Sequence, residues 1–167
     1  MVKKDTKVAV LGAGAMGCLF GGLLAEKGLD VVLIDVWKEH VDAINAKGLK
    51  MDGHGGDRFI KIKATTDPST LKPVDAIIIM CKATALEKAL NNSKNIIGKN
   101  TMLMSFQNGI GHEAIMQKIA GKDKVLGGTT TQASNILGPG HIKNHAALPS
   151  WIGEYEGGIS DRIKEIA

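Results

Sequence analysis

The stretch from Lys7 to Asp35 constrains this chain more than any other. Lys7 to Leu11 (KVAVL) is a short apolar, β-branched run and reads as a buried strand. Gly12-Ala13-Gly14-Ala15-Met16-Gly17 follows without a gap. Ala15 to Lys27 carries a helical pattern, and Gly28 stops it. Asp30 to Asp35 (DVVLID) is a second apolar strand that ends in an acid. A G-x-G-x-x-G run alone is weak, but here strand, helix, second strand and terminal acid all stand in order. Gly12 permits the tight turn out of the strand. Gly14 leaves the backbone open to a pyrophosphate. Gly17 lets the helix pack closely on the strand. The helix N-terminus presents unpaired N–H groups and a partial positive charge. These are the parts of a dinucleotide-binding unit, and they make Gly12, Ala13, Gly14, Ala15, Met16 and Gly17 cofactor-binding candidates.

Asp35 joins that set. It lies 18 residues after Gly17, near the spacing at which an acid accepts hydrogen bonds from the ribose hydroxyls. A carboxylate there repels a 2′-phosphate, so the expected cofactor is NAD(H) or NADP(H), with NAD(H) favoured. Lys38, three residues on, partly offsets that preference.

The rest of the chain alternates strands and helices. Lys38 to Lys47 reads as an amphipathic helix, with Val41, Ile44 and Trp37 facing inward and Gly48 ending it. Leu49 to Thr66 holds an alternating run and Gly53-His54-Gly55-Gly56, and predicts a hairpin outside the main sheet. Asp75 to Cys81 (DAIIIMC) is the best central parallel strand. Ala83 to Ile97 predicts a helix, Thr101 to Phe106 a strand, Gly111 to Ala120 a helix and Lys124 to Gly128 a short strand. Gly140–His145 and Ser150–Glu154 read as a terminal hairpin or edge strands. Ser160 to Ala167 starts a helix capped by Ser160 or Asp161. The expectation is an α/β fold: a doubly wound, Rossmann-type, mostly parallel sheet with helices on both faces.

Composition narrows the function classes. The 167 residues suffice for one domain, and at 4% aromatic the core must be aliphatic. The net charge of +4 suits an anionic ligand, but no long basic run or aromatic-basic interleaving points to nucleic acid. No apolar stretch reads as a signal peptide or membrane span. Cys18 and Cys81 sit in apolar segments as small core residues, which fits a reducing cytoplasm. His141 and His145 would share a strand face about 13 Å apart with no third ligand, so no metal is expected.

Ligands of such sheets bind at the carboxyl ends of the strands. Lys82 directly follows the third parallel strand and is either a solvated lysine or a crevice group. Asn108 lies in an Asn-Gly turn or hydrogen-bonds near a carbonyl substrate. Thr129-Thr130-Thr131 are either plain β-formers or hydroxyls lining the crevice.

Together, VAVLGAGAMG at 8–17, IIIMCKA at 77–83, SFQNGIG at 105–111, GGTTTQAS at 127–134 and the G-P-G-H-I turn at 138–142 resemble the N-terminal domain of the ketopantoate reductase (2-dehydropantoate 2-reductase) family. The resemblance implies NAD(P)H-dependent reduction of 2-dehydropantoate to (R)-pantoate, toward pantothenate and coenzyme A. It implies catalytic and cofactor-contacting roles for Lys82 and Asn108, and a cofactor contact at Ser134. Asp35 departs from the basic residue that NADPH-using members often carry there. The expected layout is a cofactor domain over 1–157, then over 158–167 the start of a helix leading toward a helical C-terminal domain that this chain lacks. The family's principal general acid belongs to that domain, so little reductase activity is expected of this chain alone. A small 2-oxo acid is the expected partner, and a homodimer is open. Two other functions stand beside this one: a dehydrogenase of another 2-oxo or opine-type substrate, and a dinucleotide-sensing module without redox turnover.

Overall fold

The computed structural model describes residues 5–166. The residues before Asp5 and the last residue of the expected C-terminal helix lie outside that range. In chain order the first elements are β1 (Lys7–Leu11), α1 (Ala15–Glu26), β2 (Asp30–Ile34), α2 (Lys38–Lys47), β3 (Leu49–Gly53), β4 (Arg58–Ile60) and β5 (Lys63–Thr65). Next come β6 (Val74–Ile79), α3 (Leu86–Asn92), β7 (Ile97–Ser105), α4 (His112–Ala120) and β8 (Val125–Thr130). The last are β9 (Ser134–Gly138), β10 (His141–Asn144), β11 (Ser150–Glu154) and α5 (Asp161–Ile166).

The main sheet runs β11-β8-β7-β6-β1-β2-β5. Only its edge strand β11 is antiparallel to its neighbour. Apolar strands form this sheet because both faces are covered. Val8 and Val10 of β1, with Ala76 and Ile78 of β6, enter one core. Ala9 and Leu11, with Ile77 and Ile79, enter the other, against Leu86 and Leu90 of α3 and Met116 of α4. The doubly wound fold expected from the sequence is therefore the one found.

A second sheet, β4-β3-β10-β9, covers α1. An added Cβ at Gly21 would meet Leu33 of the main sheet at 2.5 Å. One at Gly22 would meet Met51 and Ile60 of the second sheet at 2.9 and 3.1 Å. Helix α1 is thus apolar on nearly every side because it is sandwiched between two sheets.

Several local expectations change. The 49–66 segment splits: β3 and β4 form the expected antiparallel hairpin, but β5 returns to the main sheet beside β2. Segments 140–145 and 150–154 do not pair with each other. β10 lies inside the second sheet, parallel to β3, and β11 edges the main one. The helix expected over 83–97 is α-helical only at Leu86–Asn92, with 3₁₀ turns at Ala83–Ala85 and Lys94–Ile96. Trp37 does not face inward; it is 38% exposed, and His40 is the fully buried residue of that turn. A flat ring at the helix start can lie over the imidazole, and the two rings stack at 5.0 Å. Ser160 is the cap of α5, its Oγ accepting from the Ile163 N–H at 3.3 Å.

The edge strand β5 is fastened by one side chain. Asn45 Nδ2 donates to the Ala64 carbonyl at 2.8 Å, and Asn45 Oδ1 accepts from the Ala64 N–H at 2.9 Å. The amide of α2 thereby pairs both backbone groups of a strand residue. Asn45→Ala is expected to cost about 1–3 kcal/mol of stability, read by chemical denaturation. An unchanged midpoint would show that β5 holds without it.

Candidate functional site

The glycine turn sits where the strand order reverses, between β1 and β6. Gly12 leaves β1 at φ +99°, and a Cβ on it would lie 2.4 Å from the Cys81 nitrogen. So Gly12 is required twice, by its backbone angle and by the closeness of the β6 end. A Cβ at Gly17 would lie 1.9 Å from the Gly12 carbonyl oxygen, which leaves no room for any side chain. Gly14 differs from both. Its backbone is extended, at φ −65° and ψ −169°, and a Cβ on it would meet nothing within 4 Å. It opens α1 without a side-chain cap, so the first N–H groups of that helix, at Ala15 and Met16, have no intrahelical partner.

Asp35 reaches back to this turn from the end of β2. Its Oδ2 accepts from the Ala13 N–H at 2.7 Å, and its Oδ1 accepts from the Trp37 N–H at 3.0 Å. Ala13 is buried, and its carbonyl accepts from the Cys18 thiol at 3.1 Å. Burial, with the Asp35 carboxylate second, pushes that thiol up to about 12; Cys18 is a packed donor rather than a nucleophile. Burial also raises Cys81.

At the end of β6, Lys82 is exposed and starts the 3₁₀ turn at Ala83–Ala85. Gln107, past the end of β7, holds the backbone before it. Gln107 Nε2 donates to the Cys81 carbonyl, and Gln107 Oε1 accepts from the Ser105 hydroxyl at 3.1 Å. Sequence reasoning missed Gln107, since a glutamine carries no spacing signal of its own. Asn108 is exposed next to it, and its carbonyl faces His112 Nε2 at 2.8 Å. Ser134 lies just beyond the exit of β8, at the start of β9. Its Oγ is buried without a hydrogen-bond partner among the described residues, as is Gln132 Oε1.

The threonines resolve. Thr130 Oγ1 meets Ser150 Oγ at 2.7 Å and Thr131 Oγ1 donates to the Pro149 carbonyl at 3.0 Å, so both tie the β11 approach to β8. His141 pairs with Asp52 at 2.6 Å and His145 with Asn135 at 3.0 Å. Among the described residues, no cluster of three His, Cys, Asp or Glu could hold a metal, and no helix is long and apolar enough to cross a membrane.

These residues fit a dinucleotide. An uncapped helix N-terminus with open space at Gly14 suits a phosphate anion, and a fixed carboxylate at the β2 end suits hydroxyl donors. Direct contacts join the glycine turn, Asp35 and the β6 end. Asn108 and Ser134 lie along the same carboxyl edge, past β7 and β8.

A mostly parallel sheet wound on both faces, with such a turn at its switch point, is a Rossmann-type domain. The chain belongs to the ketopantoate reductase family, since the model described as Ketopantoate reductase PanE/ApbA matches residues 8–157. The 2-dehydropantoate 2-reductase of Pyrococcus abyssi is 41% identical over 161 residues, which are 96% of this chain and 52% of that protein. The chain spans about half the length of the curated relatives it matches. The crystal structure of 2-dehydropantoate 2-reductase from Geobacter metallireducens has a TM-score of 0.89 at 28% identity, covering 96% of this chain and 53% of that one. A D-mandelate dehydrogenase solved with NADH has a TM-score of 0.85 at 34% identity, covering 97% and 51%.

Proposed function

We propose that these residues are the cofactor-binding half of an NAD(P)H-dependent reductase of a 2-oxo acid. The reading favoured within that class is reduction of 2-dehydropantoate to (R)-pantoate, toward pantothenate and coenzyme A. The observation that carries it is the glycine turn, open at Gly14 and pinned to the Asp35 carboxylate. The names of the relatives support the substrate, and the NADH held by the mandelate dehydrogenase supports the cofactor class.

NAD(H) is favoured over NADP(H). Two backbone N–H groups hold the Asp35 carboxylate, so it cannot swing away from a 2′-phosphate. Ala13, Ala15 and Met16 supply the backbone around the phosphates, and Ser134 offers an unpaired hydroxyl to the cofactor. When bound, the cofactor supplies the hydride. The chain's part is to meet the negative charge that develops on the carbonyl oxygen. The Lys82 ammonium and the Asn108 amide are the donors on this half, and the principal general acid belongs to the half that the relatives have beyond this span. Cytoplasmic residence fits a reaction drawing on a soluble cofactor pool.

The 167 residues alone are expected to bind NADH, followed by its fluorescence, with little turnover of ketopantoate. A chimera joined to the second half of the Pyrococcus abyssi relative should restore turnover. Lys82→Met or Asn108→Ala in that chimera should lower kcat by roughly 10²–10³-fold, as loss of a charge-stabilising donor does. Ordinary turnover by the isolated chain would place the acid within these residues and overturn the assignment. A second reading, reduction of a different 2-oxo acid, is favoured by the likeness to D-mandelate dehydrogenase. Ligand-observed NMR on the NADH-loaded chain, with ketopantoate and aryl 2-oxo acids, separates the two.

A further inference from the structure

His40 is fully buried on α2, beneath the Trp37 ring. A buried imidazole is tolerated there only if both ring nitrogens are matched. Nδ1 accepts from the Gly140 N–H at 3.0 Å. Gly140 lies in the turn between β9 and β10, and its carbonyl accepts from the Lys50 N–H of β3 at 2.8 Å. With Nδ1 accepting, the ring proton sits on Nε2, which faces Cys18 Sγ at 3.2 Å. The Cys18 thiol proton then goes to the Ala13 carbonyl at 3.1 Å. Burial holds the His40 pKa below the ordinary histidine value, against the opposing pulls of the Asp35 carboxylate and the Ala13 backbone. The neutral ring suits an accepting Nδ1.

The end of this chain of bonds is what matters. Ala13 C=O and Gly14 N–H belong to one planar trans peptide and point in opposite directions. Drawing the Ala13 oxygen inward to Cys18 therefore turns the Gly14 N–H away from Cys18, at a residue where the space an added Cβ would take is open. Asp35 holds the preceding N–H of Ala13 from the other strand.

We infer that His40 is a positioning residue: through Cys18 it fixes the Ala13–Gly14 peptide so that the Gly14 N–H faces an incoming phosphate, and it anchors that peptide to the second sheet at Gly140. The inference rests on the dinucleotide reading above, and it assigns the second sheet a part in the site. Nothing in the G-x-G-x-x-G pattern specifies either residue.

The test uses this chain with Cys18→Ala, Cys18→Ser and His40→Phe. Cys18→Ala removes the thiol donor, Cys18→Ser replaces it with a hydroxyl, and His40→Phe keeps the ring volume without its nitrogens. NADH affinity is expected to fall about tenfold in Cys18→Ala and His40→Phe, the effect of one lost buried hydrogen bond. Cys18→Ser should restore it. In the ligand-free chain, amide exchange at Ala13 should quicken by a similar factor in Cys18→Ala and return in Cys18→Ser, while exchange in β6 and β7 stays unchanged. Nitrogen-15 spectra of His40 should report the Nε2-protonated tautomer. Unchanged Ala13 exchange and unchanged NADH affinity in Cys18→Ala would overturn the inference, even if His40→Phe fails to fold. If the parent chain does not bind NADH but the exchange pattern holds, the dinucleotide reading falls and the positioning link stands.

Discussion

Gly14→Leu is expected to abolish NADH binding while leaving the fold intact. The backbone at Gly14 is one that any residue adopts, and a Cβ there has open space within 4 Å into which a side chain can extend. The cost to stability should stay below about 1 kcal/mol, the scale of a helix-cap change. In the proposed binding mode a pyrophosphate approaches through the space such a side chain would fill, so affinity should fall by at least about a hundredfold, or roughly 2.7 kcal/mol. Gly12→Ala is the contrast. It forces an L-residue to φ +99° with its Cβ 2.4 Å from the Cys81 nitrogen. It should lose both binding and about 3 kcal/mol or more of stability. NADH titration beside thermal denaturation reads both variants. A Gly14→Leu chain that bound NADH like its parent would remove the glycine turn from the phosphate site.

Asp35 carries the second large effect, on cofactor choice. The parent chain is expected to bind NADH more tightly than NADPH, and Asp35→Asn should shrink that gap at least about tenfold, the scale of one charge-assisted hydrogen bond or charge repulsion. Asparagine keeps an acceptor for the Ala13 N–H, but it removes the charge and sets an amide N–H₂ donor where Oδ1 accepts from the Trp37 N–H. Asp35→Ala removes both, leaving the Ala13 and Trp37 N–H groups without their acceptor. It should therefore weaken NADH as well as narrow the gap. Fluorescence titration with both dinucleotides gives the ratios. Tighter binding of NADPH by the parent chain would overturn the preference.

Much of this was legible because it is local. The β1 and α2 boundaries agree with the sequence pattern to the residue, since strand and helix periods, Gly28 and Gly48 act over a few residues. The misread places are those where a partner distant in sequence decides. Segment 63–65 joins β2 because the edge of the main sheet was free to take it. Trp37 stays at the surface because His40, bonded to the N–H of the distant Gly140, fills the interior of that turn. At the entrance of the 83–97 segment, Gln107 from beyond β7 holds the Cys81 carbonyl, and the α-helix begins only at Leu86.

The glycine turn divides along the same line. From the sequence alone came its presence, its strand and helix, its acid and the kind of ligand it suits, because these rest on backbone angles and charge at fixed spacing. Only the tertiary structure decided what surrounds it. Gly12 is glycine partly because Cys81, far along the chain, presses against it. The Ala13 peptide is held by Asp35 on one side and by Cys18 and His40 on the other. Such contacts depend on how two sheets close over one helix, and no periodicity in the chain encodes that distance.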